Sequence, residues 1–446
     1  MKKWYHKIMA VLLTIIVLVV GALSYSGLNG LGYHVLTQSA EEGTVNFWYT
    51  NDVLTNYYNN VASVYNKTHR GANVVPKLVS ASEYIEQIYK VSRGEEVYPD
   101  IYVVTSDAME KAYLSGLTRP VENEKAVQKN FPKVAVEAAS YNGILQGYPF
   151  YFDTSTLVYN KTLLEEIAYD QFELNALEKG ESTEDLVVTE EQIAMLVDIM
   201  IPETIDELIE FSNNLEAPEG MDTLFKWNIN DVFYNYFYLG EYTTLSSDEI
   251  DIYNEETVAC IEIFKHLTEY FFMDAETVST DSILQEFKSG TMLFTIMDSE
   301  SAVELEKAKA NGEISFDFDY ALIPDPSSEL RGRPLSVTNV VVVNGYTDYP
   351  ETAVDFAEFL TMENYCTDQL YEKTGYLPAY AKSATSTNME VVFKKEYTES
   401  ANMPNYMVTS NFWMLLENAF NQLWDGAETR EVLYKLEQRL QNQIPE

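Results

Sequence analysis

Short β-branched and aromatic runs alternate with helical patterns in the part of the chain that follows residue 44. Runs at 45–49, 73–79 and 100–104 are typical of strands. Two intervening segments repeat their apolar residues on one helical face, namely Leu54, Tyr57, Tyr58, Val61, Val64 and Tyr65, and then Tyr84, Ile85, Ile88 and Val91. Strands that alternate with helices favour parallel pairing and a sheet covered on both faces. The pattern therefore predicts an α/β fold, with ligand sites at the carboxyl ends of the strands.

The rest of the chain continues this mixture of helices and strands. Helix signals mark four segments, namely the capping box of Thr204 and Glu207, residues 281–289 closed by Gly290, the helix opened by Pro350, and residues 412–440 interrupted at Gly426. A strand is predicted at 292–297. Residues 168–200, which are rich in Glu, Leu, Ile and Met, predict an additional helical insertion.

The N-terminal segment has the pattern of an export signal. Lys2, Lys3 and Lys7 precede an apolar run from Ile8 to Leu23. The run is shorter than the roughly 20 residues that a spanning helix needs, so residues 1–25 are either a cleaved signal or a retained membrane anchor. Residues 26–43, with several glycines, predict a linker. We therefore expect an extracellular protein, tethered to the cell surface if the N-terminal helix is retained.

Composition narrows the classes of partner. The chain has 446 residues and a formal net charge of −41, which repels nucleic acid and disfavours anionic ligands. A neutral or cationic ligand fits this charge better. The two cysteines and four histidines show no metal-ligand spacing, so the sequence predicts no metal site and indicates no cofactor.

Four segments in chain order resemble family 1 of the extracellular solute-binding proteins of ABC importers, the group that includes the maltose- and maltodextrin-binding proteins. They are Tyr148-Pro149 through Asp153 to Tyr159-Asn160-Lys161, the helix start Pro202 to Leu208, the strand entry Phe287 to Met292, and the turn Thr374-Gly375-Tyr376-Leu377-Pro378-Ala379. Each segment is weakly diagnostic by itself, but their joint order and spacing are specific. Together they extend over nearly everything after residue 44.

The resemblance implies a periplasmic-binding-protein type II fold, in which two α/β lobes are joined by hinge crossovers and enclose a ligand cleft. It places lobe 1 at 44–151 plus 325–373 and lobe 2 at 152–324 plus 374–446. Cys260 and Cys366 then lie in different lobes, where a disulfide would obstruct the hinge. We therefore expect free, buried thiols, with an interlobe disulfide as the alternative.

The resemblance also implies where a ligand binds. A neutral sugar offers hydroxyl groups and apolar C–H faces, which suit carboxylates or amides and flat aromatic rings. Positions that carry sugar-contacting carboxylates in the maltose-binding branch correspond to Asp52, Asp107 and Asp153, and a sugar-stacking position corresponds to Trp413. Trp227, which lies in an aromatic patch of the predicted lobe 2, is the fifth candidate.

Each candidate also has a purely structural explanation. Asp52 could cap the first helix, Asp107 could be a solvated acid or a cap, and both tryptophans could be core residues. Asp153 lies among aromatic residues, where an unpaired carboxylate is costly, so we expect it to have a polar partner. The chain also differs from the maltose-binding branch at several positions, namely Val53, Val104, Ala108 and the segment Asp298-Ser299-Glu300. These differences argue against a strict maltodextrin specificity.

The sequence is consistent with three functional hypotheses. The first is a monomeric, non-enzymatic carbohydrate receptor that closes its lobes on the ligand and delivers it to the membrane permease of an ABC importer. The second is a receptor of the same fold for a peptide, polyamine or glycerol ester. The third is a secreted glycosidase that uses two carboxylates. The glycosidase is the weakest of the three because it gives no reason for the series of family motifs.

Overall fold

The computed structural model describes residues 43–442 except 70, 95–96, 181, 184–185, 246–248, 272, 274–276 and 405–410. The predicted export segment at 1–25 and the predicted linker, apart from Gly43, lie outside the described residues. Within the described part of the chain, no helix has the length and apolar character that a membrane span requires.

The first elements form the predicted alternation of strands and helices. They are β1 (Gly43–Tyr49), α1 (Thr55–Thr68), β2 (Ala72–Leu78), α2 (Tyr84–Ser92), β3 (Ile101–Thr105), α3 (Met109–Leu114), α4 (Glu124–Asn130), α5 (Lys133–Ala138), β4 (Ser140–Tyr141), β5 (Ile144–Leu145) and β6 (Tyr148–Asn160). β1 pairs in parallel with both β2 and β3, as predicted. The apolar faces predicted for α1 and α2 are buried, except that Val64 is half-buried.

The middle of the chain is mainly helical. It contains α6 (Lys161–Glu178), α7 (Glu190–Met200), α8 (Ile205–Asn214), β7 (Thr223–Phe225), α9 (Val232–Asn235), β8 (Thr244–Leu245), β9 (Ile250–Asp251), α10 (Glu255–His266), α11 (Thr280–Lys288), β10 (Met292–Asp298), α12 (Ser299–Ala310) and β11 (Phe318–Ala321). The capping box of Thr204 and Glu207 begins α8, which confirms that prediction. The second half of α6 together with α7 occupies the predicted helical insertion at 168–200.

The last part returns to the sheet and then ends in two helices. Its elements are β12 (Leu335–Val343), α13 (Pro350–Met362), α14 (Asn364–Thr374), β13 (Leu377–Pro378), α15 (Asn388–Glu399), β14 (Ala401–Asn402), α16 (Phe412–Trp424) and α17 (Thr429–Gln441). The predicted helix opening at Pro350 and the predicted break at Gly426 are both confirmed.

The long strand β6 belongs to both halves of the molecule. The main sheet has the order β2-β1-β3-β12-β6-β10-β7, with β11 and β13 also on β6 and β14 on β12. The first half of β6 pairs with β12, up to Thr154 opposite Ser336. From Ser155 onward β6 pairs with β10, and from Leu157 also with β11. Asp153 therefore lies where β6 changes partners.

Two separate hydrophobic cores cover this sheet. The first contains the inner faces of α1, α2 and α13, and the second contains those of α6, α8, α10, α16 and α17. Phe393 and Tyr397 of α15 belong to the first core. Cys366 lies in the first core and Cys260 in the second, both buried as predicted and both free. The exact boundaries of the two lobes stay a prediction.

Candidate ligand-binding cleft

A cavity of about 740 Å³ opens at the carboxyl ends of β1 and β3. Parallel strands bring these ends to one edge of the sheet, which is where open α/β folds bind ligands. On one side the cavity is lined by the strand ends, by Tyr58 of α1, by the start of α2 and by Asp107. On the other side it meets Pro404 and Trp413. Polar groups and aromatic rings thus face the same space.

The turn after β1 is capped by Asn51 rather than by Asp52. The Asn51 side chain accepts a hydrogen bond from the Val53 N–H at 3.1 Å, and its amide donates to the Tyr376 hydroxyl at 2.8 Å. The capping explanation for Asp52 is therefore wrong, because its neighbour already fills that role. Asp52 itself is exposed beside the cavity.

Three carboxylates are near enough to Tyr376 to influence its ionisation. Burial raises the pKa of Tyr376, and the charges of Glu300, Asp153 and Asp52 raise it further. The Tyr376 ring also packs on Tyr151 of the cavity wall, with 4.8 Å between the ring centroids. Asp52 and Asp153 therefore lie in the neighbourhood of one tyrosine that packs against the cavity wall.

Asp107 lies in the short turn that follows β3. It is exposed, lines the cavity and accepts a hydrogen bond from the Thr105 hydroxyl. The ion pair of Lys111 with Glu86 lies in the same wall. Because this lysine is paired, the wall keeps the uncompensated negative charge of Asp107.

Asp153 is half-buried and rests on the N-terminus of α12. Its Oδ1 accepts hydrogen bonds from the Ser299 N–H at 3.0 Å and from the Ser299 hydroxyl at 2.5 Å, which confirms the expected polar partner. Since alternate residues of a strand share one face, Asp153 faces the same side as Tyr151, which lines the cavity. Burial and then the charge of Asp298 raise the pKa of Asp153 to about 7, although the hydrogen bonds from Ser299 oppose this.

Asp298 forms the second half of this acidic pair. Its Oδ1 accepts from the Ser301 N–H at 2.7 Å and caps α12, while its Oδ2 accepts from the Tyr234 hydroxyl at 2.6 Å. Burial raises the pKa of nearby Asp231, and the charge of Asp298 adds to this shift. Several acids therefore converge on the segment where β6 changes partners.

The two candidate tryptophans lie in different environments. Trp227 is 0% exposed in the second core, stacks on Phe225 at 4.8 Å and donates from Nε1 to Asn235 at 2.9 Å. The structure therefore places Trp227 away from the cleft, because the surrounding core covers its ring completely. Trp413 is half-buried near the start of α16 and lines both the main cavity and a second cavity of about 490 Å³, which Asp231 also lines.

Sequence reasoning missed several residues of this cleft. Tyr151 and Tyr376 both lie inside the motifs that carry the family resemblance, and these motifs indicate the family without showing that the two rings lie at the cavity. In the sequence, Asp298 is visible only as a departure from the maltose-binding branch. Among the described residues, no group of three or more His, Cys, Asp and Glu side chains is arranged to hold a metal ion.

Comparison with known sequences identifies the family. The profile of the bacterial extracellular solute-binding proteins matches residues 60–405, which is more than half of the chain. The chain belongs to this family. Membership implies that this solute-binding protein is exported. No curated protein matches its sequence.

Solved structures show that this solute-binding protein has the two-lobed fold of the maltose-binding proteins. An extracellular solute-binding protein from Staphylococcus aureus in complex with maltose has 17% identity and a TM-score of 0.71, over 90% of this chain and 97% of that chain. A maltose-binding periplasmic protein from Listeria monocytogenes in complex with maltose has 17% identity and a TM-score of 0.69, over 91% and 99%. A cyclo/maltodextrin-binding protein complexed with maltotetraose has 18% identity and a TM-score of 0.68, over 92% and 98%.

Proposed function

We propose that this protein is an extracellular receptor for a neutral oligosaccharide. The observation that carries the proposal is the convergence of Asn51, Asp107 and Trp413 on one cavity between the strand ends and α16. Asp52 and Asp153 complete the proposed site from positions beside that cavity. Carboxylate and amide oxygens accept hydrogen bonds from sugar hydroxyls, and charge-assisted bonds of this kind are about twice as strong as neutral ones. An indole ring covers the apolar face of a sugar.

The ligand acts by bridging the two lobes. In the unliganded protein the open form predominates, and a saccharide that contacts both walls shifts the population towards the closed form. The protein works as a monomer, carries out no chemical step, and presents the closed form to the permease subunits of an ABC importer. The N-terminal apolar segment exports it and, if retained, tethers it to the cell surface.

The structural relatives support a sugar ligand without defining which one. The three proteins described above were solved with maltose or maltotetraose bound. This chain has Val53, Val104 and Ala108 where the maltose-binding branch has polar or aromatic residues, which argues against a strict maltodextrin specificity.

A cationic solute is the second candidate. Asp153, Asp298, Asp231 and Glu300 lie close enough together for their charges to raise the pKa of their neighbours. An amine placed among these carboxylates would neutralise part of their repulsion.

Thermal-shift screening of the full chain separates these candidates. The panel contains maltotriose, cellotriose, xylotriose, spermidine and a neutral tripeptide, and calorimetry measures Kd for each compound that stabilises the protein. A ligand at 100 times its Kd adds about 2.7 kcal/mol of stability. We expect stabilisation by a saccharide, a smaller radius of gyration in solution scattering, and no product by chromatography. Stabilisation by spermidine alone would favour the cationic solute, and product formation would favour a glycosidase.

A further inference from the structure

Asn339 lies in the floor of the main cavity, in the middle of the interior strand β12. It stands opposite Thr105 of β3 and opposite Tyr151 of β6, the two strands with which β12 pairs. Directly opposed residues of neighbouring strands project from the same face of a sheet. Thr105 and Tyr151 both line the cavity, so the sheet register directs the Asn339 side chain into the same space.

The side-chain amide of Asn339 has no hydrogen-bond partner among the described residues, although the residue is half-buried. Its atoms are not among the unpaired polar atoms that the protein seals from solvent, so they keep accessible surface. Asn51, which also lines the cavity, differs in this respect. Its oxygen accepts from the Val53 N–H and its nitrogen donates to the Tyr376 hydroxyl. Asn339 therefore presents a free carbonyl oxygen and a free amino group to the ligand space.

An asparagine is an unfavourable residue for this position of the strand. The four residues that follow it, 340–343, are buried valines. Asparagine is depleted in strands, whereas valine is enriched because its β-branched side chain packs well on a pleated surface. The fold alone thus favours a valine at position 339. Polar residues that oppose the local preference in this way are characteristic of functional sites.

The register also places Asn339 close to two of the proposed ligand contacts. Its neighbour Thr105 donates a hydrogen bond to Asp107. Its neighbour Tyr151 precedes Asp153 by two residues, on the same face of β6. Asn339 lies between these two neighbours on the intervening strand, so a ligand held by both carboxylates would pass over its amide.

We infer that Asn339 is a specificity-determining residue of the binding site, whose amide binds two neighbouring hydroxyl groups of the saccharide. This inference rests on the proposed carbohydrate function. The carbonyl oxygen accepts a hydrogen bond from one hydroxyl, and the amino group donates to the oxygen of the other. An ammonium ligand could pair only the carbonyl oxygen, so the free amino group favours a sugar over a polyamine. A saccharide that lacks either hydroxyl leaves half of the amide unpaired and binds more weakly.

Asn339→Leu tests the inference, with Thr338→Val as the matched control. Thr338 is the preceding residue of β12, is 0% exposed, and pairs its hydroxyl with that of Tyr397 at 2.7 Å on the other face of the sheet. Urea unfolding measures the stability of both unliganded variants, and calorimetry measures Kd for the panel trisaccharide that the wild type binds most tightly. Asn339→Leu should be at least as stable as the wild type and raise Kd about tenfold. Thr338→Val should be less stable than the wild type, with Kd unchanged.

Asn339→Ala is the second variant, because it removes the amide without filling its space. A series of monodeoxy derivatives of the same trisaccharide then locates the two bonds. The wild type should discriminate against two derivatives that lack neighbouring hydroxyl groups, and both Asn339 variants should bind these derivatives and the parent equally well.

The outcomes separate this inference from the function on which it rests. Equal Kd values for the wild type and Asn339→Ala, unchanged discrimination among the derivatives, or an equal rise of Kd in Thr338→Val would refute the role of Asn339 alone. Failure of the wild type to bind any saccharide would instead refute the carbohydrate function and this inference with it.

Discussion

Replacing Asp153 with asparagine should stabilise the protein at alkaline pH and leave its stability at acidic pH nearly unchanged. The asparagine Oδ1 can keep both hydrogen bonds from Ser299, and its amide nitrogen can donate towards Asp298. The substitution thus imitates the protonated carboxyl group and removes the repulsion between two half-buried acids.

The size of this effect follows from the pKa. An unperturbed aspartate has a pKa of about 3.9, whereas burial and the charge of Asp298 raise that of Asp153 to about 7. The native state therefore binds the proton more tightly than the unfolded state, and wild-type stability falls as pH rises between about 4 and 7. If the whole of this pKa shift acted on folding, it would lower the free energy of unfolding by about 4 kcal/mol. Because Asp153 is only half-buried, we expect a smaller effect, about 2 kcal/mol at a pH near 8.

Urea unfolding of both proteins at several pH values between about 3 and 9 measures this difference directly. The free energy of unfolding of Asp153→Asn should equal that of the wild type below about pH 4, exceed it increasingly as the pH rises, and exceed it by about 2 kcal/mol near pH 8. In calorimetry at the higher pH, the variant should bind the saccharide more weakly, because a charge-assisted bond has become a neutral one. A difference that is constant across the pH range, or a variant that is less stable near pH 8, would refute the reasoning.

Three further substitutions probe other parts of the molecule. Trp413→Ala should raise Kd for the saccharide at least tenfold, measured by calorimetry, and lower stability by only about 1–2 kcal/mol, since the ring is half-buried. Trp227→Ala should lower stability by about 3–5 kcal/mol in urea unfolding, because its ring fills the second core, with Kd unchanged. Burial raises the pKa of Glu396 to about 8, so Glu396→Gln should raise stability progressively from about pH 4.5 to pH 8 and leave it unchanged below about pH 4.

Each of these substitutions has an outcome that contradicts its premise. Unchanged affinity in Trp413→Ala would remove the ring from the site, and weakened affinity in Trp227→Ala would show that the second core controls the cleft. The Ile323 N–H donates to Glu396 Oε2, and glutamine can accept the same bond through its carbonyl oxygen. A loss of stability at every pH in Glu396→Gln would therefore mean that the carboxylate itself is required.

Local chemistry explains why much of the fold could be predicted from the sequence. The apolar period of α1 and α2 defines the buried faces of these helices, and the capping box at Thr204 defines the start of α8. These signals lie within a few residues of the features that they determine. The family resemblance then supplied the arrangement of the two lobes, which periodicity alone does not contain.

The site was harder to predict because its contacts join distant parts of the chain. The register of β6 against β10 brings Asp298 close to Asp153, and no local pattern encodes that register. Trp227 and Trp413 have similar aromatic neighbours in sequence, yet only the tertiary structure shows that the first is covered and the second reaches the cavity. Asn51 and Asp52 are both good capping residues, and the backbone selects Asn51.

The position of each proposed contact determines what it contributes to lobe closure. Asp153 lies on β6 where the strand changes partners. If the lobes rotate about this crossover, as we propose, the environment of Asp153 changes little on closure. We expect the separation of Asp107 and Trp413 to change most, because Asp107 follows β3 of the first core and Trp413 packs against the second core. Only interactions that differ between the open and closed forms can shift that equilibrium. A ligand that reaches Asp153 alone would therefore bind without closing the lobes, and one that also bridges Asp107 and Trp413 would close them.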